Sequence, residues 1–414
     1  MICLDLRGGD ARKALEVISG PVTVLLPSLD PELVEQVNRV AGRFPVAVSY
    51  ETPANLGGEV DLTPLSELSN IQGLELFVGS GELPDLRGLA RLRWLALRYA
   101  GFAADSLERL PTGIEGLTYD GPLQLDTVGR LGRFPRLKRL STAMRDLNWS
   151  PLDRLRSIEA LELPDDITLE DLKGLEKLPH LRELSTRARL GSREFEALAR
   201  LRELRALRIP EATLSDADAA KLSQLTHLEI FVSPHGVTND GLKSLASLKK
   251  LRTLDLSHAE TASADLPWLP ELTAVTDLNL QGHTISAATL SKLPRLVRLN
   301  LNSAPVDRKL VQAMTKLTQV RDLDLSETSV AESDVQHLLQ LEQLRFLNVF
   351  HTGIRDGGWL SLAKLPKLRV LLIGPGVARD TCAKLRMEPR LLFVGDVQSR
   401  RLWEPLGAGS RCAG

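Results

Sequence analysis

The chain has 414 residues, more than one ordinary hydrophobic core holds, so either several domains or one repetitive array is expected. Hydrophobic residues make up 43% and aromatic residues only 4%, so leucine at recurring positions must fill the interior, which favours an array. Lysine and arginine number 52 against 53 aspartate and glutamate, and the net charge of -1 excludes a global field that selects nucleic acid or an anionic membrane.

Strand-like and helix-like segments alternate over the first seventy residues. CLDL, VTVLL and VAVSY read as strands, and ARKALEVIS and PELVEQVNRVAG between them carry apolar residues at helical spacing. An array has to shield its first strand edge and the end of its core. We therefore predict that residues 1–70 form an N-terminal domain of β/α capping repeats.

A six-residue frame, L-x-x-L-x-L, recurs from residue 71 onward. Its first residue, offset 0, is found fourteen times at steps of 21 to 26 residues: Ile71, Leu92, Ile114, Leu137, Ile158, Leu181, Leu204, Leu225, Leu251, Val275, Leu296, Val320, Leu344 and Leu368. A period this short fits one strand and one return segment. Period-two alternation predicts that offsets 3 and 5 point into the core and that offsets 2, 4 and 6 lie on the exposed concave side of a sheet, which we call the open face.

These repeats resemble the bacterial leucine-rich repeats of about 24 residues, most clearly over residues 276–360. DLTPLSELSNIQGLELF and SPLDRLRSIEALEL are shorter and resemble the internalin type. One departure is the absence of an asparagine ladder at offset 8, which reads Ala259, His283, Ala304, Thr328 and Thr352. The resemblance implies an α/β fold: a right-handed, horseshoe-shaped solenoid with a parallel concave β-sheet, helices and loops on its convex side, and a role as a binding scaffold.

The repeats are predicted to span residues 71–378, followed by a C-terminal cap and flexible tail over residues 379–414. The cap would consist of RLLFVG, preceded by a short helix around Thr381 to Arg386, whereas the tail from residue 396 has little to bury. The opening segment carries charges where a secretory leader is apolar, and no run of eighteen apolar residues occurs. We expect a cytoplasmic protein without membrane contact, and a secreted effector stays open.

Large side chains on the open face are the candidates for contacting a partner, because aromatic residues and arginine are typical of interface hot spots. The candidates are Phe77, Trp94, Arg98 and Tyr99 near the N-terminus, His227 and Phe231 in the middle, and Phe346, Asn348, Phe350 and His351 near the C-terminus. Asp255 and Asp324 belong to a polar stripe at offset 4, which either keeps the sheet face hydrated or forms an acidic track. The tail containing Trp403 either covers the apolar strand at Val370 and Leu372 or leaves it to a partner.

Offset 1 is rich in basic residues: Arg93, Lys138, Arg182, Arg205, Arg252, Arg321, Arg345 and Arg369. An uninterrupted basic edge could follow the phosphates of a nucleic acid. Glu115 and Glu159 interrupt this stripe, and no row of aromatic residues accompanies it. The pattern therefore disfavours nucleic acid.

Sequence motifs for catalysis or cofactor binding are absent. The chain has no H-E-x-x-H, G-x-x-x-x-G-K-[ST], G-x-G-x-x-G or G-x-S-x-G motif, and Cys3, Cys382 and Cys412 lack a C-x-x-C spacing. We predict a protein that is not an enzyme, without catalytic, cofactor-binding or metal-binding residues, and that binds a protein partner on the concave face, with a monomer favoured. The alternatives are a polyanion or nucleic-acid binder that uses the basic edge, and a self-associating scaffold.

Overall fold

Short parallel strands alternate with helical or extended return segments in the computed structural model of the chain. The structure describes residues 2–5, 21–51, 61–78, 82–98, 104–120, 127–142, 154–259, 265–374, 378–388, 391 and 393–395. These residues form two units, the first within Met1–Ala188 and the second within Arg189–Gly407, and each unit buries its own row of leucines.

In the first unit, nine strands are described, and each of the first eight pairs in parallel with the strand that follows it. The strands are β1 Ile2–Asp5, β2 Val22–Leu26, β3 Val46–Glu51, β4 Gly73–Phe77, β5 Trp94–Arg98, β6 Gly116–Tyr119, β7 Arg139–Thr142, β8 Ala160–Leu163 and β9 Glu183–Thr186. The return segments contain the α-helices α1 Pro31–Ala41, α2 Thr127–Leu131 and α3 Leu169–Gly174, and 3-10 helices at Thr63–Glu67, Ala104–Arg109 and Leu175–Lys177.

Helix α1 shows why a return segment becomes helical where the sequence permits. The Asp30 side chain accepts hydrogen bonds from the backbone N–H groups of Glu32 and Leu33, which helix residues cannot otherwise satisfy, and Pro31 occupies the first turn. Leu33, Val34, Val37 and Val40 recur at helical spacing and are buried.

The second unit also has nine described strands that pair in chain order. They are β10 Ala206–Arg208, β11 Ile230–Val232, β12 Thr253–Asp255, β13 Asp277–Asn279, β14 Arg298–Asn300, β15 Asp322–Asp324, β16 Phe346–Val349, β17 Val370–Ile373 and β18 Phe393–Gly395. The helices are α4 Ser192–Leu198, α5 Asp216–Leu222, α6 Asn239–Lys243, α7 Ala287–Leu290, α8 Arg308–Met314, α9 Val335–Leu338, α10 Asp356–Leu362 and α11 Arg379–Arg386, with 3-10 helices at Ser244–Ser247, Leu269–Glu271 and Glu332–Asp334.

The leucine frame is confirmed in the last full repeats. The offset-3 residues Leu254, Leu278, Leu299, Leu323 and Leu347 are all 0% exposed, and each is opposite the next in the strand register. Burying a leucine side chain stabilises the fold by about 1.5–3 kcal/mol. The recurring leucines therefore hold each repeat against its neighbours.

The predicted frame at Leu225 is wrong by three residues. In the register, Phe231 lies opposite Leu207 and Leu254, both at offset 3, so the repeat starts at Leu228. Phe231 and Ser233 are both 0% exposed and take offsets 3 and 5, the core positions that Leu254 and Leu256 occupy in the next repeat. A side chain larger than leucine is thus accommodated beside one that is smaller, which keeps the core filled.

Carboxylates on one return segment hold the start of the next helix. Asp216 accepts hydrogen bonds from the backbone N–H and the hydroxyl of Thr238, at 2.9 and 2.8 Å. Asp265 accepts from the backbone N–H and hydroxyl of Ser286, both at 2.8 Å, and from the hydroxyl of Thr289 at 2.9 Å. These bonds satisfy groups at helix N-termini and tie successive repeats together.

The domain boundaries at residues 70 and 378 stay predictions. Strands β1 to β3 and helix α1 lie in the predicted N-terminal cap, and α11 and β18 lie in the predicted C-terminal cap. Residues 396–414, including Trp403, lie outside the described residues. Within the described part of the chain, no helix combines the length and apolar character that a membrane span requires.

Candidate protein-binding surface

Trp94 is the large aromatic side chain that stands out on the open face of the first unit. It begins β5 at offset 2, and 48% of it is exposed. Its partner on the next strand is Gly116, where an added Cβ would overlap Cε3 and Cζ3 of the indole. The indole therefore lies over the backbone of Gly116, in space that a side chain at that position would fill.

Arg98 lies at the other end of β5 and is held by acidic groups. Its Nε donates a hydrogen bond to Glu75 Oε1 at 2.8 Å, its Nη1 lies 3.6 Å from Asp120 Oδ2, and its guanidinium lies 5.9 Å from the ring centre of Phe77. Burial raises the pKa of Asp120, although the charge of Arg98 lowers it in part. Phe77 is half-buried, and Tyr99 lies outside the described residues. The structure thus places Phe77 next to Arg98, at the C-terminal end of β5, whereas Trp94 lies at the N-terminal end of the same strand.

The polar stripe at offset 4 of the second unit is a set of turn-forming side chains. Each side chain accepts a hydrogen bond from the backbone N–H two residues further on, at 2.8 to 3.1 Å: Asp255 from Ser257, Asn279 from Gln281, Asn300 from Asn302, Asp324 from Ser326 and Asn348 from Phe350. Such bonds close the turn after each strand.

Asp255 and Asp324 are further bonded to the next strands. Asn279 Nδ2 donates to Asp255, and Asn348 Nδ2 donates to Asp324, both at 3.0 Å. Asp324 is only 7% exposed, and burial raises its pKa more than its hydrogen bonds lower it. The predicted exposure of Asp324 on the open face is wrong, because its carboxylate is buried and holds a turn. Asp255 is half-buried and makes the same kind of turn.

The middle pair does not lie on one face. Phe231 is fully buried, so its predicted place on the open face is wrong, because the frame starts at Leu228. His227 precedes that frame and lies before the strand, half-buried, with Nδ1 at 3.3 Å from the carbonyl oxygen of Arg202.

The C-terminal group does come together. Phe346 and Phe350 are half-buried, His351 is exposed, and the rings of Phe350 and His351 are 3.9 Å apart. Asn348 lies between the two phenylalanines in sequence, and its side chain is used in the turn described above. Leu372 of β17 is only 3% exposed although it occupies offset 4. Leu372 is therefore withdrawn from solvent, whereas Val370 at offset 2 of the same strand is half-buried.

The basic residues at offset 1 are largely paired in the earlier repeats. Arg93 lies 3.5 Å from Glu115, and Lys138 lies 3.0 Å from Glu159. Arg205 lies 3.5 Å from Glu229, which reaches offset 1 only in the corrected frame. The hydrogen bond from Lys138 lowers the pKa of Glu159. These pairs break the stripe into neutral pairs.

Two features of the surface are missing from the sequence prediction. One is Gly116, which shows in the sequence only as a residue without a side chain; the other is the pairing of Arg98 with Glu75 and Asp120. Within the described ranges, no three histidine, cysteine, aspartate or glutamate side chains lie where they could hold a metal ion together.

No family model and no curated protein matches the chain. The TLR13-ssRNA13 complex matches with TM-score 0.53 and 16% identity over 88% of this chain, which spans 62% of that chain. The mouse RP105/MD-1 complex matches with TM-score 0.51 and 16% identity, over 92% of this chain and 76% of that one. A Listeria monocytogenes internalin, InlF, matches with TM-score 0.49 and 20% identity, over 83% and 94%. The first two matches, the parallel sheet and the leucine frame together show the leucine-rich-repeat fold.

Proposed function

We propose that this leucine-rich-repeat chain is a non-catalytic module that binds a protein partner on the open face of its first unit, with Trp94 as the central anchor. The exposure of Trp94 carries the proposal. Tryptophan is among the residues most enriched in interface hot spots, and its exposed indole becomes buried when a partner docks. Repeat solenoids commonly use their extended sheet surface for binding.

The preformed position of the indole supports this role. Because the indole lies over the backbone of Gly116, the strand supports the ring in this position, which lowers the side-chain entropy that a partner has to remove on binding. Arg98, held by Glu75 and Asp120, offers a fixed charged neighbour at the other end of the same strand.

A protein is a better partner than a nucleic acid for this surface. The two structural neighbours are complexes, one of RP105 with MD-1 and one of TLR13 with ssRNA13, so the fold admits both classes. On this chain, Arg93 and Lys138 are paired with glutamates along the edge next to Trp94. Phosphates would have to break these pairs to bind there.

The test is affinity capture from an extract of the source cells, with tagged wild-type chain, Trp94→Ala and Leu339→Ala. Leu339 is a matched control, because it is also an exposed apolar residue but follows helix α9 in a return segment. We expect the wild type and Leu339→Ala to retain one protein in stoichiometric amount. Trp94→Ala should weaken its binding by about 2 kcal/mol or more, roughly thirtyfold.

Gly116→Leu provides a second variant, which displaces the indole without removing it. Thermal unfolding of both variants should match the wild type within a few degrees, because both substituted positions lie on the open face. Equal capture by wild type, Trp94→Ala and Gly116→Leu would exclude Trp94 as the anchor. Recovery of a second copy of the chain would support the self-associating scaffold instead.

A further inference from the structure

The edge of the second unit carries a row of arginines, and two of them, Arg321 and Arg345, differ from the paired basic residues of the earlier repeats. Arg321, Arg345 and Arg369 occupy offset 1 in three successive repeats, and all three are exposed. Their backbones are joined rung by rung, since the N–H of Arg345 donates to the carbonyl of Arg321 and the N–H of Arg369 donates to the carbonyl of Arg345. We call these three residues the arginine edge.

The residues two positions before each arginine of this edge are neutral or basic. Offset -1 of the same repeats reads Gln319, Gln343 and Lys367, and Lys367 donates a hydrogen bond to Gln343 at 2.6 Å. In the part of the chain that the structure describes, no ion pair joins Arg321 or Arg345 to a carboxylate, in contrast to Arg93, Lys138 and Arg205.

A shallow cavity lies beside Arg321 and Arg345. Arg298, Arg321, Asp322 and Arg345 are among its lining residues. Arg298 is committed to an ion pair with Asp277. Burial raises the pKa of Asp322, and the nearby charges of Arg298, Arg345 and Arg321 lower it in part. The cavity therefore contains Asp277, which is paired with Arg298, and Asp322, which feels the charges of all three arginines, whereas Arg321 and Arg345 are exposed.

We propose that the arginine edge is a second binding site, which takes the carboxylates of an acidic peptide segment of a protein. Adjacent strands are about 4.8 Å apart, so Arg321 and Arg345 present two guanidiniums at a spacing that one or two carboxylates can bridge. Phe346 and Val370 directly follow Arg345 and Arg369 and are half-buried on the open face. An apolar residue of the same segment has a contact there.

The length of the edge favours a peptide over a nucleic-acid backbone. Three rungs span only about 10 Å, and the offset-1 residues of the two preceding repeats are the uncharged Thr276 and Val297. A duplex gains its affinity from many phosphates neutralised along a track, which this surface does not offer.

The test measures the binding of a labelled octaglutamate peptide to the full chain. Fluorescence anisotropy gives the affinity at low and at physiological salt. Arg321→Gln with Arg345→Gln is expected to weaken the affinity at least tenfold. The matched control, Arg93→Gln with Arg205→Gln, removes the same charge from paired positions and should change the affinity less than twofold. A labelled octalysine peptide should bind more weakly than octaglutamate to the wild type.

This site does not depend on Trp94, so Trp94→Ala should bind octaglutamate as the wild type does. If octaglutamate does not bind, the proposal of Trp94 as an anchor is unaffected. If Trp94 is not an anchor, the proposal of the arginine edge is likewise unaffected. Equal affinity of the double variant and the control, or no binding by the wild type, would overturn the proposal. A twelve-base-pair duplex that binds more tightly than the peptide and is equally sensitive to the double variant would also overturn it, in favour of a polyanion site.

Discussion

Phe231→Ala separates the register of the structure from the one that the leucine motif suggests. Phe231 is 0% exposed, and removal of a buried phenylalanine side chain costs about 3–5 kcal/mol. If the frame started at Leu225, Phe231 would lie on the open face, and the substitution would cost about 0.5 kcal/mol or less. The two registers thus predict unfolding equilibria that differ by roughly a hundredfold or more.

His227→Ala is the matched control, because the same motif places His227 and Phe231 side by side on one strand. In the structure, His227 is half-buried and lies before the strand, so its replacement should change stability by less than about 1 kcal/mol. Urea denaturation followed by circular dichroism and tryptophan fluorescence measures both. Trp268 and Trp359 are buried in the second unit and report on its unfolding.

The neighbouring Ser233 extends this prediction to a double-mutant cycle. Ser233→Leu alone overfills the core and should cost about 1–3 kcal/mol. In a Phe231→Leu background the same change should cost less, because it restores two leucines at the two core positions and leaves a favourable coupling above about 0.5 kcal/mol. An unfolding midpoint for Phe231→Ala equal to that of the wild type would refute the register that starts at Leu228.

Two further substitutions test the polar groups by their pH dependence. Asn348→Asp replaces the amide that donates to Asp324 with a second carboxylate. We expect the free energy of unfolding to fall by about 1–3 kcal/mol at pH 7. Thermal melts should show a smaller loss toward pH 4, because the two carboxylates can then share a proton. Burial raises the pKa of Asp265, but hydrogen bonds from Ser286 and Thr289 outweigh this effect, so the pKa lies below 3.8. The carboxylate therefore stabilises the fold above pH 3.8, and this stabilisation is lost as the pH falls through the lowered pKa. Asp265→Asn should therefore lower the melting temperature at pH 7 and approach the wild type at acid pH.

The leucine frame made most of the fold predictable, because periodic apolar residues report directly on burial. Thirteen of the fourteen predicted frame positions match the register of the strands, and the error at Leu225 has a specific cause. Leu225 and Leu228 are both buried, so both satisfy the pattern. The step from Leu225 to Leu251 is 26 residues, longer than any other, and moving the start to Leu228 brings every step to between 21 and 24. Even spacing was the better signal, since Phe231 and Ser233 together disguise the motif.

The candidate surface was less predictable, because it depends on contacts between repeats. Asp324 belongs to a stripe of polar residues that the sequence places on the exposed face. In the structure, the turn after its strand brings the backbone N–H of Ser326 to 2.9 Å from its carboxylate. Arg205 is next to Thr226 in the predicted frame but next to Glu229 in the structure. Whether a basic residue is paired therefore follows from the exact register, which single repeats do not define.

The same arrangement, a large side chain in space left by a small neighbour, occurs twice: once at Trp94 and Gly116, and once at Phe231 and Ser233. The consequences for stability differ between the two. Phe231 gains full burial in the core. Trp94 leaves 48% of its surface in water, and glycine within a strand costs about 0.5–1 kcal/mol relative to alanine. The glycine beside Trp94 thus weakens its strand without filling the core. The burial that would offset this cost becomes available when another molecule covers the indole, which is the physical reason to place a partner at Trp94.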